Sequence, residues 1–189
     1  SDSAVGLSLY PSNNESSTYI NAVLVDSYEV SCKFIVTRNP LSCSVPDFWR
    51  MIEKNHVKTI VSLNYLDFND LTTTTFYPLT KSFNIVEPLP YLEVRYVSKE
   101  IKNYYEIFNL ELARLDIQEN APIKIIQINN WYYNMMHPED PHELIKVYEE
   151  MNHLSVSSDK IVLTCYDGAR ASGLFAALCF LIDRIKLKS

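Results

Sequence analysis

The sequence is short of glycine, of positive charge and of long apolar runs. It has three glycines in 189 residues, and 17 lysines and arginines against 23 aspartates and glutamates give a formal net charge of -6. An acidic chain lacks the basic surface that neutralises nucleic-acid phosphates, so we expect no nucleic-acid partner. No run of about 18 consecutive apolar residues occurs. We therefore expect no membrane contact within this chain.

Cysteine is also sparse and is not spaced for metal binding. The four cysteines show neither CxxC nor Cys/His spacing, so we expect no metal and no cofactor. Cys165 and Cys179 stand in apolar surroundings typical of free buried thiols, and reduced cysteines favour a cytoplasmic location. Hydrophobic residues make up 47% of the chain, which suffices for the core of one globular domain.

The pattern of apolar residues predicts a mixed α/β domain. Residues 1–18 are polar and predict a partly loose N-terminal segment, which leaves 19–189 for the domain. Strands are expected where β-branched and aromatic runs lie between turn-forming residues, and helices where apolar residues recur at helical spacing. The predicted strands are 19–25, 33–37, 59–63, 91–97, 122–128 and 161–164, and the predicted helices are 44–54, 142–154 and 171–186.

Two segments leave their conformation open. The alternation in 104–115 favours a long exposed strand, with a helix as the alternative, and the four threonines at 72–75 favour an edge strand or a loop. Ser44 is expected to cap the first helix. Because strands and helices mix without strict alternation, we expect a twisted mixed β-sheet flanked by helices, in a single α/β domain.

One loop carries the strongest functional pattern. It contains two of the three glycines and joins a predicted buried strand to a predicted helix, where free backbone N–H groups and the positive helix end suit an anion. A cysteine in that field has its thiolate favoured, as a cysteine-dependent phosphatase requires. A core cysteine that only closes the strand is the alternative. The loop consists of Cys165, Tyr166, Asp167, Gly168, Ala169, Arg170, Ala171, Ser172 and Gly173.

Together with this loop, five segments in the right order resemble the protein tyrosine phosphatase family. They are 19–22 (YINA), 34–41 (FIVTRNPL), 47–53 (DFWRMIE), 59–63 (TIVSL) and 76–78 (FYP). The resemblance implies the family's fold. We find no counterpart of the family's phosphotyrosine-recognition segment or of its later glutamine-bearing segment, so we expect a domain truncated in its C-terminal part.

The resemblance also assigns positions to the residues of the site. Cys165 takes the position of the nucleophile, Thr164 that of the preceding histidine, and Ala171 that of the phosphate-binding arginine. Trp131 resembles the tryptophan of the family's mobile acid-bearing loop, which puts Tyr133 at the position of the general acid.

These substitutions predict poor catalysis. Ala171 lacks the planar donors that grip two phosphoryl oxygens, and Arg170 should point roughly 100° away around the helix start. An inward-facing Asp167 would repel phosphate. Tyr133 would leave the phenol without a matched proton donor.

The leading hypothesis is a catalytically inactive regulatory or protein-interaction module of phosphotyrosine signalling. It resembles the membrane-distal second domain of receptor-type phosphatases. Its partner would be an adjacent active phosphatase domain or a phosphoprotein, and it would be cytoplasmic, alone or as the intracellular part of a single-pass receptor. Two alternatives stay open. One is a weak or altered phosphatase that uses Cys165, and the other is a redox-responsive domain in which Cys165 is oxidised.

Overall fold

A nine-stranded mixed sheet organises the chain in the computed structural model, which describes residues 4–6, 19–67 and 74–188. Its order is β1-β2-β3-β9-β4-β8-β7-β6-β5. The strands are β1 (Ala4–Gly6), β2 (Tyr19–Val25), β3 (Phe34–Arg38), β4 (Thr59–Ser62), β5 (Ile85–Leu89), β6 (Leu92–Ile101), β7 (Tyr105–Arg114), β8 (Glu119–Ile128) and β9 (Ile161–Cys165). The helices are α1 (Val45–Lys54), after a 3-10 turn at Ser42–Ser44, α2 (His142–Leu154) and α3 (Arg170–Lys186).

The centre of the sheet is parallel. Strand β9 pairs in parallel with β3 and β4, and β4 pairs in parallel with β8, whereas the outer strands are antiparallel. All five residues of β9 are buried, as expected for a central strand covered on both faces. Because parallel strands end at one edge, the segments that follow β3, β4, β8 and β9 meet there. This edge is where ligands bind in sheets of this kind.

The core lies on both faces of the sheet. Side chains alternate along a strand, so Val162 of β9 joins the cluster under α1, whereas Ile161 and Leu163 join the cluster under α2 and α3. Helix α1 contributes Phe48, Trp49, Met51 and Ile52 to the first cluster. Because both faces of the sheet are covered, the central strands hold the loops at their carboxyl ends rigidly.

The structure confirms the predicted fold class and most of the predicted elements. Helix α2 has the predicted bounds, and the predicted strands and the other helices recur with bounds that differ by up to four residues. Of the predicted N-terminal segment, Ala4–Gly6 pairs with β2 as a short strand. The rest of that segment and residues 72–73 lie outside the described residues, and Thr74 and Thr75 have no regular structure.

Two predictions need correction, and one strand was missed. Residues Tyr105–Arg114 form a strand, but it pairs with β6 and β8 on its two sides and is largely buried rather than exposed. Ser44 does not cap α1: its Oγ accepts the Leu41 N–H at 2.9 Å and donates to the Leu41 carbonyl at 3.1 Å. Strand β5 was not predicted, because it is an edge strand with Pro88 inside it and a weak apolar pattern.

Candidate functional site

The loop predicted to bind an anion lies between the end of β9 and the start of α3. Cys165 is the last residue of β9, and its side chain is fully buried. Gly168 has a φ of 74°, and a Cβ atom added to it would lie 2.6 Å from the backbone nitrogen of Arg38. The loop therefore needs glycine here, both for the left-handed conformation and for its close packing against the end of β3.

The carboxylate of Asp167 faces into its own loop. Its Oδ1 accepts hydrogen bonds from the backbone N–H groups of Ala169 at 2.9 Å and Arg170 at 3.0 Å. The thiol of Cys165 also donates to this oxygen, with Sγ at 3.4 Å. The N–H groups expected to hold an external anion are thus bound to an internal one.

Arg170 completes this arrangement rather than standing away from the loop as expected. Its Nε donates to Asp167 Oδ2 at 2.7 Å, and its second terminal nitrogen donates to the Tyr133 carbonyl at 3.2 Å. Burial alone would raise the pKa of the Asp167 carboxyl. The Arg170 guanidinium, the two backbone N–H groups and the Cys165 thiol together hold that pKa well below its usual range. The carboxylate is therefore ionised at neutral pH.

Two other substituted positions have structural roles. Ala171 is buried at the start of α3, so only a methyl group stands where the resemblance places an arginine. Thr164 is fully buried, and its Oγ1 donates to Asn39 Oδ1 at 2.8 Å. This bond ties β9 to the segment that follows β3 and offers no acid or base.

The segment after β8 brings the predicted acid position to the loop. Trp131 is fully buried, and its carbonyl accepts from the backbone N–H of Tyr65 at 2.9 Å. The ring of Tyr133 stacks on that of Tyr166, with centroids 5.0 Å apart and planes at 29°. The structure thus places Tyr133 beside the loop, as an exposed aromatic residue.

The acidic residues beyond Trp131 have other partners. Asp140 accepts hydrogen bonds from the backbone N–H and ring Nδ1 of His142 at the start of α2. Glu143 is buried and accepts a hydrogen bond from the side chain of Asn130. Burial raises the pKa of Glu143 above its usual value, although the Asn130 bond acts in the opposite direction. Neither carboxyl contacts the Cys165 loop through these bonds.

Asn64, which was not among the predicted site residues, links three loops. It follows the carboxyl end of β4, its Oδ1 accepts the Tyr166 N–H at 2.9 Å, and its Nδ2 donates to the Trp131 carbonyl at 3.2 Å. The sequence does contain a pattern that could have indicated Asn64, because it is a polar residue directly after the predicted buried strand 59–63.

A cleft of about 470 Å³ opens beside the loop. The last residue of β3, Arg38, and the next residue, Asn39, line it together with residues 64–67 and the tyrosines near Trp131 and Cys165. Four of the lining residues are the tyrosines Tyr65, Tyr132, Tyr133 and Tyr166. Arg38 was also missed, because it entered the sequence analysis only as one letter of the segment 34–41.

All four cysteines are free, and Cys165 and Cys179 are buried. Within the described parts of the chain, no helix is both long and apolar enough to cross a membrane.

Comparisons with known proteins agree with the resemblance. The model of the protein-tyrosine phosphatase family matches residues 2–189. Tyrosine-protein phosphatase 69D of Drosophila melanogaster is 28% identical over 179 residues, 91% of this chain and 12% of that protein. The human tyrosine-protein phosphatase non-receptor type 2 is 28% identical over 167 residues, 86% of this chain and 40% of that protein. The chain thus spans less than half the length of either relative.

Solved structures share the fold. The structure of PTPN18 in complex with HER2-pY1196 phosphopeptides superposes with a TM-score of 0.85 at 17% identity, over 99% of this chain and 64% of that one. A second PTPN18 structure, concerned with distinct HER2 tyrosine phosphorylation sites, also gives 0.85, at 16% identity over 99% of this chain and 65% of that one. At this identity the likeness concerns the fold alone.

Proposed function

The chain belongs to the protein-tyrosine phosphatase family, and we propose that it is a catalytically inactive member that regulates or binds other proteins in phosphotyrosine signalling. The observation that carries the proposal is the position of the Asp167 carboxylate. It is hydrogen-bonded to the backbone N–H groups of Ala169 and Arg170 and to the thiol of Cys165. A phosphate would need the same donors.

The carboxylate opposes phosphate binding by charge as well as by occupancy. At about 5 Å and an effective dielectric constant of about 20, each pair of like charges repels by roughly 3 kcal/mol. A repulsion of this size weakens binding about a hundredfold. Arg170 does not offset it, because its guanidinium is already paired with Asp167 and with the Tyr133 carbonyl.

The chemical step lacks two further groups. The buried methyl of Ala171 provides no donors for the equatorial phosphoryl oxygens, which an arginine grips in pairs. Tyr133 stands at the acid position, and absence of a matched proton donor costs roughly 100-fold to 10,000-fold in rate. Both groups would be missing even without the Asp167 carboxylate.

The retained cysteine does not restore activity under this proposal. Attack on phosphorus requires the thiolate. The Asp167 carboxylate accepts a hydrogen bond from the Cys165 thiol, with Sγ 3.4 Å from Oδ1, so a thiolate at Cys165 would face a negative charge. Full burial of Cys165 also means that a peroxide reaches its sulfur only after the loop opens. Burial therefore weighs against the redox-responsive alternative too.

The proposed partner is a protein: an adjacent active phosphatase domain or a phosphoprotein. A structural neighbour that binds HER2 phosphopeptides supports a phosphoprotein partner. We place the domain in the cytoplasm, either alone or within a receptor, because its four cysteines are free.

Turnover of p-nitrophenyl phosphate tests the proposal. Wild-type protein and the Cys165→Ser variant should give the same rate, equal to that of buffer, while the phosphatase domain of the human non-receptor type 2 relative serves as the active control. A wild-type rate above buffer that Cys165→Ser abolishes would establish a weak phosphatase instead. The combined variant Asp167→Ala, Ala171→Arg and Tyr133→Asp should gain turnover, since it removes the internal anion and supplies both missing groups.

A further inference from the structure

Arg38 has a polar atom that the described structure leaves unsatisfied. It is the last residue of β3 and lines the cleft beside the Cys165 loop. Its Nε is buried and has no hydrogen-bond partner among the residues that the structure describes. This Nε is closed to solvent, so a ligand in the cleft would meet the charge of the Arg38 guanidinium on the cleft wall rather than the Nε itself. Arg38 thus points to a ligand with a negatively charged oxygen.

The position of Arg38 is rigid. Its backbone pairs with Cys165 in the parallel ladder between β3 and β9, and the next residue donates its N–H to the Cys165 carbonyl at 2.7 Å. The close packing of Gly168 against the Arg38 backbone adds a further restraint. The backbone that carries this cation is therefore fixed, so binding an anion orders only the Arg38 side chain.

Exposed aromatic rings line the same cleft. Tyr65 and Tyr132 are in contact, with centroids 5.2 Å apart, and Tyr133 stacks on Tyr166. These four side chains are between 38% and 59% exposed. Exposed tyrosines that already hold one another in place are typical anchors for protein partners, because they offer large apolar faces at little entropic cost. A cleft of about 470 Å³ has room for one or two side chains.

The charge balance decides which anion suits the cleft. Among the described residues that line the cleft, Arg38 is the one cation and Asp67 the one acid, and the Asp167 carboxylate that follows Tyr166 is paired with Arg170. The two charges of a dianionic phosphate would outnumber the single lining guanidinium and would also face Asp67. A carboxylate carries half that charge and matches the single guanidinium, to which it can bind through two oxygens.

We propose that the cleft binds an unphosphorylated acidic segment of a partner protein. One Asp or Glu carboxylate of that segment pairs with the Arg38 guanidinium, and a neighbouring aromatic side chain packs on the tyrosines. The inference rests on the proposed interaction role and specifies the chemistry of the partner.

Fluorescence anisotropy with three labelled peptides tests it. The first carries one Glu-Tyr pair between glycine and serine flanks, the second has Gln in place of Glu, and the third has Gln followed by phosphotyrosine. The Glu peptide should bind saturably, the Gln peptide at least about tenfold more weakly, and the phosphotyrosine peptide no more tightly than the Glu peptide.

Variants identify the contact. Arg38→Gln should weaken binding of the Glu peptide about tenfold and leave the Gln peptide unchanged, and Tyr132→Ala should weaken both peptides severalfold. The matched control is Arg184→Gln, which removes the same charge from the exposed surface of α3 and should bind like wild type. Thermal melts establish that each variant is folded.

Three results would overturn the inference: no saturable binding of the Glu peptide at millimolar concentration, full affinity in folded Arg38→Gln, or a phosphotyrosine peptide that binds more than about tenfold tighter than the Glu peptide. Failure of the proposed function is seen separately, as turnover of p-nitrophenyl phosphate by the same wild-type preparation. Turnover of p-nitrophenyl phosphate together with Arg38-dependent peptide binding would refute only the proposed inactivity. Absence of both turnover and peptide binding would refute only the proposed binding of an acidic segment in the cleft.

Discussion

Removal of the Asp167 carboxylate should make the loop after β9 bind an external anion. In the wild-type protein this carboxylate accepts two backbone N–H groups, at 2.9 and 3.0 Å, and pairs with Arg170 at 2.7 Å. Asp167→Ala frees both backbone N–H groups and the Arg170 guanidinium at once. Asp167→Asn removes the charge but keeps an oxygen that can still accept the N–H groups.

The expected size of the effect follows from charge and occupancy. Loss of a repulsion of roughly 3 kcal/mol per charge pair, at about 5 Å and a dielectric constant of about 20, strengthens phosphate binding about a hundredfold. The released Arg170 guanidinium adds an attraction, partly screened because its side chain is 67% exposed. Affinity should therefore rise from wild type to Asp167→Asn and again to Asp167→Ala.

Isothermal titration with inorganic phosphate at low and at physiological ionic strength measures this series. Asp26→Ala is the matched control, because Asp26 also accepts a backbone hydrogen bond, from the Cys32 N–H at 2.7 Å. Asp26 follows β2, which is antiparallel to β3, so it lies at the end of the sheet opposite to the Cys165 loop. The Asp26→Ala variant should bind phosphate no better than wild type. If wild type bound phosphate as tightly as Asp167→Ala, the carboxylate would not be blocking the loop. If Asp167→Asn and Asp167→Ala gained the same phosphate affinity, the side-chain oxygen would not be competing with phosphate for the N–H groups.

Three further predictions concern stability and reactivity. Gly168→Ala should lower the free energy of unfolding by about 2 kcal/mol or more, because of its positive φ and the clash with the end of β3. Gly173→Ala, with open space around the new methyl, should be neutral or stabilise by up to about 1 kcal/mol; equal losses in urea titrations would contradict this contrast. The lowered pKa of Asp167 contributes stability that is complete above the unfolded carboxyl pKa of about 4 and is lost as pH falls below it. The melting temperatures of wild type and Asp167→Ala should therefore differ most near pH 7 and converge in acid, whereas a pH-independent difference would argue against the ion pair. Under native conditions a maleimide should label Cys32 and Cys43 and spare the buried Cys165 and Cys179, as measured by mass spectrometry. Fast labelling of Cys165 would instead favour the redox-responsive alternative.

Local patterns in the sequence predicted the elements that frame the site. The spacing of apolar residues located α2, because a helix buries the residues that recur at its own period. A buried apolar run followed by a glycine-containing turn located β9, the loop and the start of α3. The order of the family-like segments then predicted that Ala171 and Tyr133 take the positions of the family's arginine and general acid, since alignment depends on chain order alone.

Only the tertiary structure decided how these residues act. Periodicity shows that Tyr105–Arg114 is a strand, but pairing on both sides, which buries it, depends on distant segments. The direction of the Asp167 carboxylate depends on the loop's own backbone conformation, which composition does not reveal. The cleft joins Arg38, Tyr65, Tyr132 and Tyr166, which are far apart in the chain and meet because parallel strands end at one edge of the sheet. The sequence by itself predicted which family residues the site lacks, and the packing of the strands determined which side chains lie together there.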